Sequence, residues 1–134
     1  MTVSSVNRDR NVTFLRTFVL LWFTLLPEAA PAETFLLMAE EDGCVWCARW
    51  NAEVGDAYAK TAEGDAAPLR RYDIRGDLPD GVDLAMRVRF TPTFILVRQG
   101  REVDRIEGYP GEEFFWGMLE MMLERAGVPV DRNG

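Results

Sequence analysis

Apolar runs along the chain predict the strands of a buried sheet. Residues 33–39 (ETFLLMA) and 93–97 (TFILV) have the composition of strands that are covered on both faces. A weaker candidate for a third strand is 68–74 (PLRRYDI). Residues 101–107 follow a Gln-Gly turn and lack clean alternation, which favours a fourth strand at the edge of the sheet.

A helix is predicted directly after the first strand, from Cys44 to about Lys60, because apolar residues recur there at helical spacing. Its expected buried face consists of Cys47, Trp50, Val54, Ala57 and Tyr58. Gly55 is expected to weaken the middle of this helix. Residues 61–67 (TAEGDAA) are predicted to form a loop.

Two further helices are predicted in the second half of the chain. Residues 81–88 would form a short one, because Asp80 is placed to cap its N-terminus and Asp83 completes a capping pair. The other helix starts at a pair of glutamates and ends before Gly127. Its expected buried stripe consists of Phe115, Met118, Leu119 and Met122.

This order of elements predicts an α/β fold. The strands and helices follow one another as β-α-β-α-β-β-α, which gives a four-stranded mixed sheet with helices on both faces. The first apolar strand ends just before Cys44. We therefore expect the cysteines at the C-terminal edge of the sheet, where open α/β folds place their sites.

The first 32 residues contain the three parts of an export signal. Three arginines precede residues 17–26 (TFVLLWFTLL), which carry no charge. Ala30 and Ala32 then form a small-residue site of the kind that signal peptidase cleaves. The apolar run is shorter than the roughly 20 residues of a membrane-spanning helix. We predict a signal peptide over 1–32 and a mature domain over 33–134, with an uncleaved membrane anchor as the alternative.

Composition and charge narrow the expected function. The chain has 134 residues, 48% of them hydrophobic, which suffices for one domain with its own core. It carries 15 basic and 22 acidic residues, for a net charge of −7. Nucleic-acid-binding proteins need a basic face, so nucleic acid is not an expected partner. Export would place the protein in the periplasm, where disulfides persist.

The chemistry of the chain is expected to be sulfur chemistry. Cys44 and Cys47 are its only cysteines, and it contains no histidine. A structural zinc site would need two more Cys or His ligands, which leaves only zinc shared between two copies as an alternative. A purely structural disulfide is a second alternative, although a bridge this short closes almost no loop. Redox exchange is favoured, because the N-terminus of the predicted helix would stabilise a thiolate on Cys44.

The chain resembles the thioredoxin superfamily over nearly all of residues 33–134. Three features stand at matching places: Cys44-Val45-Trp46-Cys47 after the first strand, RFTPT at 89–93 before the hairpin, and Gly108 at the end of the last strand. The resemblance implies a thioredoxin-like fold. It also implies a redox-active disulfide between the two cysteines, with no other cofactor and no metal.

The resemblance implies roles for individual residues. Cys44 matches the nucleophile that attacks a client disulfide, and Cys47 matches the thiol that resolves the mixed disulfide. Pro92 matches a cis-proline that faces the disulfide, and Thr91 would pair its backbone with a client peptide. Trp46 would offer an apolar surface beside the nucleophile, while simple packing against the loop is the alternative.

Several positions depart from thioredoxin itself. The Val-Trp dipeptide between the cysteines lacks the usual proline, and Met38 stands where a buried acid is expected. The proton of Cys47 must then go elsewhere, with Glu40 or water as candidates. Arg71 falls about where thioredoxins keep a lysine near the active site. Three acidic residues just before the nucleophile oppose its ionisation to some degree.

Within the superfamily, the export signal and the sequence FLLMAEEDGCVWCARWNAEVG look most like SoxS-type thioredoxin-like proteins of bacterial sulfur-oxidation systems. That resemblance implies a periplasmic thiol reductant that acts on client proteins with disulfides or thiols, a sulfur-carrier protein among them. We expect a monomer that receives electrons from a membrane thiol donor. The alternative function is a non-catalytic binding or regulatory module with the same fold, held at the membrane if its N-terminus is uncleaved.

Overall fold

Residues 33–132 are described by a computed structural model, and the predicted export segment lies outside them. Four strands form one sheet: β1 (Thr34–Glu40), β2 (Leu69–Asp73), β3 (Thr93–Arg98) and β4 (Arg101–Glu107). Their order is β2-β1-β3-β4, with β1 parallel to β2 and antiparallel to β3, which in turn is antiparallel to β4. The predicted mixed sheet and the edge position of β4 are confirmed.

The helical segments are α1 (Val45–Trp50), a π-helical turn (Asn51–Gly55), α2 (Asp56–Tyr58), α3 (Ala62–Ala66) and α4 (Glu112–Arg125). The first three follow one another without a break, so the helix predicted after β1 is present. Helix α4 buries Phe115, Leu119, Met122 and Leu123, whereas Met118 is only partly buried. Within residues 33–132, none of the helices has the length and apolar character needed to span a membrane.

The π-helical turn changes which side of the first helical run faces the core. Cys47, Trp50, Val54 and Tyr58 are buried as predicted, but Ala57 is exposed. A π turn closes with an i→i+5 bond and so contains more residues than an α turn. This delays the return of the buried face by one position, from Ala57 to Tyr58.

The prediction of a loop over residues 61–67 is wrong, because these residues contain helix α3. Thr61 caps it, because its Oγ1 accepts a hydrogen bond from the Gly64 amide at 3.1 Å. A Cβ atom on Gly64 would collide with the carbonyl oxygen of Tyr58, so this close packing requires glycine. The short helix therefore packs tightly against the end of α2.

The prediction of a helix over residues 81–88 is wrong. This stretch forms no helix and belongs to an irregular connecting segment, residues 74–90. Asp83 makes a β-bridge with Arg101, and its amide donates to the carbonyl oxygen of Gly100 at 2.7 Å. Pairing with the β3–β4 turn thus replaces the helix that the capping residues favoured locally.

The two faces of the sheet are covered in different ways. The helices pack on one face, around an aromatic core made of Trp50, Phe94 and Phe115, with ring centroids 4.8–5.7 Å apart. The connecting segment covers the other face, where Val88 is buried against the apolar side chains of β1 and β3. The expectation of helices on both faces is therefore corrected to helices on one face. Cys47 belongs to the helix-side cluster, which positions the cysteines on that face.

Candidate active site

Cys44 and Cys47 form a disulfide at the C-terminal end of β1. The S–S distance is 2.04 Å and the two Cα atoms lie 5.2 Å apart. Cys44 is the N-cap of α1, and its Sγ accepts a hydrogen bond from the Cys47 amide at 3.1 Å. Cys44 is half-buried, whereas Cys47 is only 4% exposed. An incoming sulfur can therefore reach Cys44 more easily than Cys47.

Apolar side chains lie exposed beside Cys44. Val45 is 75% exposed and Trp46 is 52% exposed, although both are hydrophobic residues in the first turn of α1. Phe90, just before the proline loop, is 61% exposed. Exposed apolar residues next to a reactive group are typical of surfaces that contact a partner.

The proline loop is tied to the rest of the site on two sides. The Thr91–Pro92 peptide bond is cis, the geometry that the resemblance implies. The carbonyl oxygen of Pro92 accepts a hydrogen bond from the Gly108 amide at 2.8 Å. Thr91 Oγ1 donates to Glu41 Oε1 at 2.8 Å, and Glu41 Oε2 pairs with Arg75 at 3.0 Å. Glu41 thus joins the loop before Cys44 to the proline loop.

Thr91 stands where a further strand can be added. The pairing of β3 with both of its neighbours begins at Thr93, so Thr91 lies beyond the last paired residue. A backbone segment in this position can hydrogen-bond to an extended peptide. The position of Thr91 is therefore compatible with the client-binding role that the resemblance implies.

Glu40 and Arg71 form an ion pair beside the site. Arg71 contacts Glu40 Oε2 at 2.8 Å and donates to Asn51 Oδ1 at 2.6 Å, and its guanidinium lies 5.4 Å from the centre of the Trp50 ring. It therefore connects β1 and β2 with the π-helical turn. Within residues 33–132, neither member of this pair hydrogen-bonds to a cysteine sulfur.

The position at which thioredoxins bury an acid is apolar here. Met38 is fully buried and pairs in register with Arg71 on β2. Glu40, two residues further along β1, is 28% exposed, so a carboxylate is present at the rim of the site rather than beneath it. This agrees with the departure from thioredoxin found in the sequence.

A second polar network was not found from the sequence. Arg49 Nε donates to Glu53 Oε1 at 2.9 Å, and the Tyr109 hydroxyl donates to Glu53 Oε2 at 2.6 Å. The hydrogen bond from Tyr109 and then that from Arg49 lower the pKa of Glu53. Burial, followed by the bond to Glu53, raises the pKa of Tyr109. At neutral pH the ionised carboxylate of Glu53 therefore accepts hydrogen bonds from both Arg49 and Tyr109.

The chemistry available at this site is thiol-disulfide exchange. The disulfide joins a half-buried sulfur at a helix N-terminus to a buried sulfur. An attacking thiolate can open this bond to give a mixed disulfide, and the bond can form again when the mixed disulfide is resolved. Within the described residues, no group of Cys, Asp and Glu side chains is arranged to hold a metal ion.

The fold and the paired cysteines define a thioredoxin-like protein. A family model described as the thioredoxin-like domain matches residues 29–123, so the chain belongs to this family. Among solved structures it is similar to the crystal structure of the periplasmic thioredoxin SoxS from Paracoccus pantotrophus, in its reduced form. The two are 51% identical, with a TM-score of 0.69, over 70% of this chain and 99% of that one. No curated protein sequence matches significantly.

These findings confirm the resemblance to SoxS-type proteins and the thioredoxin-like fold. The chain is a SoxS-like member of the thioredoxin superfamily. Its Cys44–Cys47 pair is that of a thiol-disulfide oxidoreductase.

Proposed function

We propose that this protein is exported to the periplasm, where, as a monomer, it reduces disulfides in client proteins. The observation that carries the proposal is the unequal exposure of the two sulfurs on a thioredoxin-like fold. Cys44 is accessible and hydrogen-bonded at a helix N-terminus, whereas Cys47 is buried one turn further on. This division favours one thiol as nucleophile and the other as resolving group.

In the first step, the reduced protein attacks the client. The Cys44 thiolate forms a bond to one sulfur of the client disulfide, and that disulfide breaks. One client sulfur leaves as a thiolate, and the other is held in a mixed disulfide with Cys44. The Cys47 amide, which donates to Cys44 Sγ, stabilises negative charge on the attacking sulfur.

In the second step, Cys47 loses its proton and attacks Cys44 Sγ. The mixed disulfide breaks, the second client sulfur leaves as a thiolate, and the Cys44–Cys47 disulfide forms. Two electrons have then passed from the protein to its client. Glu40 and water are the candidate proton acceptors, because Met38 replaces the buried acid. A membrane dithiol donor must reduce the protein before the next cycle.

The client is held beside the disulfide by two surfaces. Thr91 lies beyond the paired part of β3, so its backbone can bond to an extended client segment. Trp46 and Val45 offer exposed apolar area next to Cys44. Because the resemblance to SoxS-type proteins implies a role beside a sulfur-oxidation system, we include a sulfur-carrier protein among the proposed clients.

We expect the mature protein to begin at Glu33 and to be found in the periplasm. Ala30 and Ala32 precede this residue as small side chains of the kind that signal peptidase accepts. N-terminal sequencing of protein from periplasmic extracts of an exporting host measures the cleavage site. The matched variant Ala32→Leu should retain the precursor, whereas an intact N-terminus on a membrane-bound wild-type protein would contradict export with cleavage.

We also expect the Cys44–Cys47 pair to be a reductant. The resemblance to SoxS-type proteins implies a reductant. The acidic residues Glu41 and Asp42, within three positions of Cys44, partly offset the stabilisation of its thiolate by the helix N-terminus, and a less stable reduced form gives a more reducing pair. Equilibration with glutathione buffers measures the potential. A value near that of thioredoxin, about −270 mV, supports the proposal, and a value near that of DsbA, about −120 mV, would make the protein an oxidant.

A further inference from the structure

Trp46 is connected to the opposite side of the active site through three polar side chains. The guanidinium of Arg49 lies 5.8 Å from the centre of the Trp46 ring, within the range of a cation–π interaction. Arg49 donates to one carboxylate oxygen of Glu53, and Tyr109 donates to the other. We call Arg49, Glu53 and Tyr109 the Arg49 network.

The far end of the Arg49 network is rigid. Tyr109 is 7% exposed and its ring packs against Phe115, with the centroids 6.1 Å apart. It directly follows Gly108, whose amide donates to the carbonyl oxygen of Pro92. Tyr109 is therefore fixed to both the aromatic core and the proline loop.

The end of the Arg49 network beside Trp46 is exposed, and its side chains would be mobile without the contacts to Glu53. The Arg49 side chain is 50% exposed, and Trp46 is 52% exposed. Glu53 stands in the π-helical turn, one helical turn from Arg49, and uses both carboxylate oxygens. An exposed ion pair of this kind contributes little to global stability. Its main physical effect is thus on the orientation of Arg49.

We propose that Arg49 and Glu53 are positioning residues, which hold the indole of Trp46 in one orientation beside Cys44, with Tyr109 as the anchor. The apolar surface next to the nucleophile and the proline loop are thereby fixed relative to each other. This inference rests on the proposed client reduction. A client that meets a fixed indole loses less conformational entropy of that side chain on binding, so the network acts on client affinity and leaves sulfur exchange itself unchanged.

The test is the variant Arg49→Met, which keeps an unbranched apolar stem and removes the guanidinium. We expect KM for a disulfide-containing peptide client to rise about three- to tenfold, with kcat little changed. The rate with hydroxyethyl disulfide, which is too small to cover Trp46, should stay at the wild-type value. Tyr109→Phe, which removes one hydroxyl and keeps the ring, should change KM in the same direction.

Two controls separate orientation of Trp46 from other effects. Arg125→Met breaks another surface arginine–carboxylate pair, with Asp104, and should leave KM unchanged. In a Trp46→Ala background, Arg49→Met should cause no further rise in KM, because the side chain it positions is gone.

The possible outcomes distinguish the positioning role of the Arg49 network from the proposed reduction of client disulfides. If the wild-type protein reduces the peptide but Arg49→Met and Tyr109→Phe leave KM unchanged, the positioning role is overturned and the proposed function stands. Additive effects of Trp46→Ala and Arg49→Met would also overturn it. If the wild-type protein reduces hydroxyethyl disulfide but no protein or peptide disulfide, the proposed client reduction fails.

Discussion

Cys44→Ser is expected to lower client reduction to the uncatalysed rate, whereas Cys47→Ser should accumulate a mixed disulfide with the client. The reason is the unequal placement of the two sulfurs. Cys44 is accessible at the N-terminus of α1, and Cys47 is 4% exposed. Without Cys47, attack still occurs but nothing resolves the adduct. Non-reducing electrophoresis and mass spectrometry after acid quenching measure the trapped species.

The double variant Cys44→Ser/Cys47→Ser serves as the control for adducts formed through other groups. Equal trapping by the two single variants would show that the division of roles is wrong. If Cys44→Ser binds clients and supports the biological function of the wild-type protein, the protein is a binding module and its disulfide is dispensable.

Phe115→Ala is expected to lower the free energy of unfolding by about 3–5 kcal/mol. Phe115 is fully buried at the centre of the helix-side core. Its ring lies 4.8 Å from that of Phe94 and 5.7 Å from that of Trp50, measured between centroids. Removing it leaves a cavity among large rings that cannot close without moving the helix. Urea denaturation with an unchanged m value measures the loss.

The adjacent Phe114 provides a matched control for this substitution. It has the same side chain in the same helix but is 69% exposed. Phe114→Ala should change the free energy of unfolding by no more than about 0.5 kcal/mol. Similar losses in the two variants would show that burial in the aromatic core does not set the cost of the substitution, because Ala is a better helix former than Phe at both positions.

The elements with strong local patterns could be predicted from the sequence. Residues 33–39 and 93–97 are continuous apolar runs, and both lie in the central strands of the sheet. The predicted position of the cysteine pair, at the C-terminal edge of the sheet, is confirmed, because both cysteines follow the end of β1. These features could be predicted because each depends on neighbours in the sequence.

The features that depend on distant residues could not be predicted. The capping signal at Asp80 favours a helix, but Val82 and Leu84 alternate in the way that suits an extended chain on the second face of the sheet. That face becomes available only after β1 and β3 have paired. Asp83 also finds its backbone partner in the β3–β4 turn, far along the chain.

The polar contacts of the site show the same limit. Arg49 and Glu53 are four residues apart on a helix, a spacing that suggests an ion pair. The contact of Glu53 with Tyr109 spans 56 positions, and that of Thr91 with Glu41 spans 50. Neither leaves a signal in a single sequence.

The unequal covering of the sheet has a consequence for motion in the native state. Residues 74–90 contain one buried apolar side chain, Val88, which is 8% exposed, whereas the helix side contains the fully buried aromatic core. We expect a segment with so few buried side chains to open at a lower free energy than the whole domain unfolds. The segment ends just before Thr91, which is hydrogen-bonded to Glu41, so we expect this opening to leave the proline loop and the helix that carries the cysteines in place. We therefore expect local opening and resistance to global unfolding to reside on opposite faces of one sheet.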